Sequence, residues 1–68
     1  MLYKTLGDRI DFSLKIRNIK QKDFAIRIGV TSVTMNRYIK GTRVPNAYTI
    51  RDMCRELGVS ADWLLGMI

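Results

Sequence analysis

Histidine is absent from the 68 residues, and cysteine occurs once, at Cys54. Without histidine, neither a Ser-His nor a Cys-His nucleophilic pair can be assembled. The same shortages remove the usual zinc ligands, so no metal site is expected within one chain. One thiol cannot form an internal disulfide, which fits a cytoplasmic protein. No apolar run approaches the ~18 residues that a membrane span needs. The opening stretch MLYKTLGDRIDF lacks the uninterrupted apolar segment of a secretion signal. Aromatic residues are only 9% of the chain, too few for a surface that stacks bases along single-stranded RNA. A chain this small also has little room for the enclosed pocket in which enzymes tune pKa values. Neither catalysis nor a cofactor is expected, and no segment points to a small-molecule effector.

What remains is a compact, basic chain. The hydrophobic class makes up 47% of residues, too much for a disordered tail and enough for one small core. Residues 1–68 therefore read as a single domain, burying about 60% of its unfolded surface. The net charge of +6 is unevenly placed. Lys20, Lys22, Arg27, Arg37, Lys40 and Arg43 face only Asp23 within residues 20–43, a local balance of +5. The rest of the chain is nearly neutral. Positive charge concentrated in this way is the footprint of a polyanion binder.

The apolar spacing predicts five helices and no strand. Leu6, Ile10 and Leu14 recur every four residues, one helical face from about 4 to 17. Asn18 is a stop. A second helix covers about 21–28, with Phe24, Ala25 and Ile28 inward, and Gly29 stands at its C-terminal end. Thr31 can cap a third helix, 32–40, which Gly41 ends. Pro45 forbids helix at Val44 and fixes the turn in GTRVPN. Asn46 can cap a fourth helix, about 47–57, striped by Ile50, Met53, Cys54 and Leu57. Cys54 on that stripe reads as a small buried hydrophobe. Gly58 ends the fourth helix. Ser60 then opens a short fifth carrying Trp63 and Leu64, closed by Gly66.

The run GVTSVTMNRYIKG, residues 29–41, holds two chemistries. On a wheel of ~100° per residue starting at Val33, Met35, Tyr38 and Ile39 lie between roughly 140° and 240°. Asn36, Arg37 and Lys40 gather on the opposite side, with Val33 among them. One face is built for a core. The other is basic, bears an amide and carries one small apolar group. Two helices joined by a short glycine-containing turn make a helix-turn-helix. Ala25 is the small residue where such helices cross, Gly29 lies in the turn, and Phe24, Ile28, Val30, Met35 and Tyr38 are apolar positions around it.

Through KQKDFAIRIGVTSVTMNRYIKG and LGVSADWLLG, residues 6–65 resemble the helix-turn-helix domain of phage Cro and lambda-type repressors, the xenobiotic-response-element family. The resemblance implies an all-α, five-helix domain acting as a homodimer on double-stranded operator DNA, with the third helix in the major groove. Position by position, it puts Ser32, Val33, Asn36 and Arg37 against base edges. The chemistry suits them, because Arg favours guanine, Asn favours adenine and Val can touch a thymine methyl. It puts Gln21, Lys40, Thr42 and Arg43 on phosphates, Gln21 at a helix N-terminus whose free N–H groups favour an anion. The implied role is a transcriptional repressor.

The chain departs from the family pattern at three places. Leu14 and Ile39 stand where the family often has an Arg–Glu pair, so they are expected to pack on each other; replacing a buried pair by hydrophobes is often neutral or stabilising. Lys20 stands where the family favours a Ser or Thr cap. Phe12 and Ile16 form a second apolar stripe on the first helix, a possible contact for a dimer partner or the C-terminal tail. That stripe keeps a second function in view: an antitoxin-like or co-regulator module that binds another protein and holds DNA weakly and without sequence preference.

Overall fold

The computed structural model describes residues 5–68. Within them are five helices and no strand: α1 (Leu6–Ile16), α2 (Gln21–Arg27), α3 (Ser32–Lys40), α4 (Ala47–Leu57) and α5 (Ala61–Leu64). The expected start of the first helix near residue 4 lies outside the described residues. In the structure Thr5 caps α1, its hydroxyl accepting from the Asp8 N–H at 3.0 Å. Thr31, Asn46 and Ser60 cap α3, α4 and α5 in the same manner, accepting from the N–H three residues on. Each cap satisfies one of the N–H groups that a helix start leaves unpaired.

The helix ends repeat one device. Asn18, Gly29, Gly41, Gly58 and Gly66 each adopt a positive φ just past a helix. After α2, the Val30 N–H donates to the Ala25 carbonyl at 3.0 Å and the Gly29 N–H to Ile26 at 3.2 Å. This paired pattern closes the helix and reverses the chain within two residues. The turn between α2 and α3 is thus fixed by backbone bonds, with Gly29 at φ 74° where a side chain would be strained.

α2 is the exception at its start. Lys20 has cap backbone geometry but supplies no side-chain hydrogen bond. Lys20→Ser should therefore raise unfolding free energy by about 1 kcal/mol, read from the urea midpoint at unchanged slope.

The core is a single cluster. Ile10, Phe24, Met35, Met53 and Leu64 are fully buried, with Leu14, Ala25, Tyr38 and Leu57 nearly so. Leu14 and the partly buried Ile39 belong to this one apolar cluster. α3 packs against both α1 and α2, and α5 against α1 and α4. Cys54 is partly covered, and burial pushes its thiol pKa upward, which keeps it protonated.

Three features of α1 depart from a plain apolar stripe. Gly7 lies against the end of α3: a Cβ there would fall 2.7 Å from the Ile39 carbonyl carbon and 2.9 Å from the Tyr38 oxygen. Arg9 is 2% exposed; its guanidinium donates to the carbonyls of Trp63 and Ile68 and lies 5.1 Å from the Trp63 ring centroid. A buried cation is tolerable only with such partners. Ser13 is fully buried, and its hydroxyl has no hydrogen-bond partner among the described residues. An unsatisfied buried hydroxyl costs about 1–3 kcal/mol. Ser13→Ala should leave the domain as stable or more stable, a result thermal unfolding would show as an unchanged or raised Tm.

The expected second stripe divides. Phe12 is half-buried, its ring 6.3 Å from Trp63, so α5 covers it. Ile16 stays 62% exposed.

Candidate nucleic-acid interface

The outward face of α3 carries polar, basic and apolar side chains together. Met35 and Tyr38 point into the core, and Ile39 is partly buried beside them. That anchoring leaves Ser32, Val33, Asn36, Arg37 and Lys40 exposed on the other side. Val33 is 60% exposed, an apolar group standing largely in water. The first turn is held by Thr31, whose hydroxyl accepts from the Thr34 N–H at 3.1 Å and donates to the Thr34 hydroxyl at 3.0 Å. The backbone at Ser32 and Val33 is therefore set before any ligand arrives.

The nine residues of α3 make a rod about 13.5 Å long at 1.5 Å per residue. A B-DNA major groove, about 12 Å wide, accepts a helix of that kind. α2 packs against α3, and Phe24 and Ala25 of α2 are buried in the core. Gln21 occupies the first position of α2 and is half-exposed.

Beyond α3 the connection 41–46 carries two of the expected phosphate contacts. Arg43 is exposed. Thr42 is exposed too, but its hydroxyl donates to the Arg37 carbonyl at 3.4 Å, and its N–H donates to the same oxygen at 3.0 Å. Thr42 here closes the C-terminal end of α3. To donate to a phosphate, its hydroxyl must turn away from that carbonyl.

Among the described residues the ion pairs lie outside this region. Lys15 is paired with Asp11 at 2.8 Å, which raises the Lys15 pKa, and Arg51 is paired with Asp52 at 3.1 Å. Among the described residues, Lys20, Lys22, Arg27, Arg37, Lys40 and Arg43 have no ion pair or hydrogen bond to a side chain. Six unneutralised cations within 24 residues form a field open to a polyanion.

Sequence reasoning singled out neither Gly7 nor Arg9. Both act at a distance from the outward face: Gly7 sets how closely α1 approaches the end of α3, and Arg9 ties α1 to α5. Thr5 did offer a signal, a Thr with Asp8 three residues later just before an apolar run.

Comparison with known proteins places this geometry. The profile of the helix-turn-helix domain family matches residues 7–66. No curated protein matches. Among solved structures, the P22 c2 repressor in complex with synthetic operator 9T in the presence of Tl+ is similar, with a TM-score of 0.85 and 26% identity. That similarity covers 90% of this chain and 92% of the repressor chain. The solution structure of the P22 c2 repressor DNA-binding domain (1–76) also has a TM-score of 0.85, at 25% identity, covering 94% of this chain and 84% of that one. With five helices in this arrangement and the family profile spanning nearly its whole length, the chain belongs to the helix-turn-helix domain family.

Proposed function

We propose that this domain is a sequence-specific double-stranded DNA-binding transcriptional regulator, most simply a repressor. It lays α3 in the major groove and binds as a homodimer across two half-sites about one helical turn, ~34–36 Å, apart. The observation that carries the reading is the exposed face of α3, where an amide, a guanidinium and an isolated apolar side chain stand together over a buried apolar back. Asn36 and Arg37 match adenine and guanine edges, Val33 matches a thymine methyl, and Ser32 can reach either. Lys40 and Arg43 supply charge along the phosphates, and Gln21 meets a phosphate at the start of α2, where free N–H groups add to its amide. Thr42 joins them once its hydroxyl rotates. The similarity to a repressor solved on its operator supports the same reading.

Charge alone would give affinity without sequence preference, typically ~10⁻⁴–10⁻⁶ M at physiological salt. Base reading adds discrimination. The test is affinity for a selected operator against random duplex of equal length at physiological salt. A specific regulator should show a ratio of about 10³ or more. A ratio near one sinks the base-reading assignment and favours the protein-interaction module. In that reading Phe12, half-buried beside Trp63, and the exposed Ile16 would carry the partner contact.

A further inference from the structure

The side of the domain formed by α4 and α5 is apolar where the side formed by α2 and α3 is basic. A hollow of about 610 Å³ opens on it, lined by Pro45, Ala47, Ile50, Cys54, Ala61 and Leu65. Arg51 and Arg55 complete the lining, but the surface presented is almost wholly apolar, so they contribute chain carbons rather than guanidinium groups. The Arg51 guanidinium is turned to Asp52, at 3.1–3.2 Å, and to the Tyr48 ring, 5.5 Å from its centroid. Ala47, Ala61 and Leu65 are exposed in the single domain, and Val44, just before Pro45, is 81% exposed.

Sites for small molecules carry a few convergent polar groups that fix the ligand's orientation, and this hollow presents almost no polar surface. Charge selects a different occupant. Residues 44–68 hold Arg51 and Arg55 against Asp52, Glu56 and Asp62, a side-chain balance of −1, whereas residues 20–43 stand at +5. Two copies meeting through α2 and α3 would repel each other. Two copies meeting through α4 and α5 would not, and their cations would stay free for phosphates.

We propose, resting on the homodimer reading above, that this face is where a second copy of the chain docks, in an isologous contact that uses the same apolar patch on both partners. Position agrees. Pro45 follows Lys40, the last residue of α3, by five residues, so at most ~18 Å of chain separates the patch from the reading helix. The two α3 helices then flank the two-fold axis on neighbouring half-sites. Size sets the strength. A standard interface takes about 20–30 residues a side, and the lining of the hollow falls well short of that. Pairing is therefore weak in solution and is completed on the operator, as cooperative filling of two half-sites.

The test has one arm without DNA and one with it. When ¹⁵N-labelled protein is diluted from millimolar concentration, amide shifts should change only within residues 44–55 and 61–66. On duplexes carrying one or two half-sites of a selected operator, the parent should fill two half-sites with a cooperativity of about 5- to 150-fold. Ala61→Glu puts a charge on the patch at the first position of α5, where an acid suits the helix. It should abolish the cooperativity and the dilution shifts and leave affinity for a single half-site unchanged. Ile16→Glu, at an exposed residue of α1, should leave both intact. The proposal is overturned if Ala61→Glu keeps the cooperativity, if Ile16→Glu removes it, or if the dilution shifts map outside the patch. A parent with no preference for the half-site over random duplex would instead sink the DNA reading. The dilution arm then decides the interface alone, and an absence of shifts from the patch rejects it.

Discussion

Gly7→Ala should destabilise the domain by at least about 3 kcal/mol, the upper end of the range for overpacking a core. The sign is the informative part. In an ordinary helix interior, replacing Gly by Ala stabilises by roughly 0.5–1 kcal/mol, because Ala loses less backbone freedom. At Gly7 the new methyl would meet backbone: 2.7 Å to the Ile39 carbonyl carbon and 2.9 Å to the Tyr38 oxygen. A flexible side chain could swing aside, but a carbonyl at the end of a capped helix cannot. α1 would have to lift from α3, opening the contact that buries Ile10 and Leu14. Small domains have only about 5–15 kcal/mol of stability in total. Urea unfolding followed by circular dichroism would show a large fall in midpoint, with DNA binding lost in parallel as the seat of α3 shifts. A Gly7→Ala protein as stable as the parent would mean that α1 and α3 do not meet as described.

The second large effect separates reading from holding. Arg37→Ala removes the donor pair best suited to guanine and should lower affinity for the preferred operator by about 1–3 kcal/mol, roughly 5- to 150-fold, while affinity for random duplex falls far less. Lys40→Ala should weaken all sequences alike and reduce the slope of log K against log salt by about 0.9. Both side chains are exposed and unpaired, so neither change disturbs the core. Fluorescence anisotropy on two duplexes over a salt series measures all four quantities. Identical behaviour of the two variants would remove the distinction between base and phosphate contacts on α3.

Much of the architecture was legible because its signals are local. Thr31, Asn46 and Ser60 bond to N–H groups three residues away, and Gly29, Gly41 and Gly58 sit beside the helices they end. The alternation that puts Met35 and Tyr38 inside and Asn36 and Arg37 outside follows from one helical period. What escaped is non-local. Gly7 looks like a weak helix residue until the α3 carbonyls are placed beside it. Arg9 reads as a solvated charge, because its partner carbonyls lie 54 and 59 residues along the chain. Phe12 is covered for the same reason: Trp63 reaches it only after α5 folds back onto α1. In the outward face, side-chain chemistry was readable, whereas the internal hydrogen bond of Thr42 depends on how α3 unwinds at Gly41. The apolar hollow lined by Pro45, Ile50, Cys54, Ala61 and Leu65 is non-local as well, since it forms only once α5 lies against α4.

Selection of bound duplexes from a random pool, run in parallel with the parent protein and Arg37→Ala, tests most directly whether the outward face of α3 reads bases. The parent should enrich a two-fold symmetric sequence with half-sites about one helical turn apart. The variant should enrich the same sequence with preference lost at one position in each half-site. An unenriched pool from the parent, or the same preferences at every position from both proteins, would contradict it.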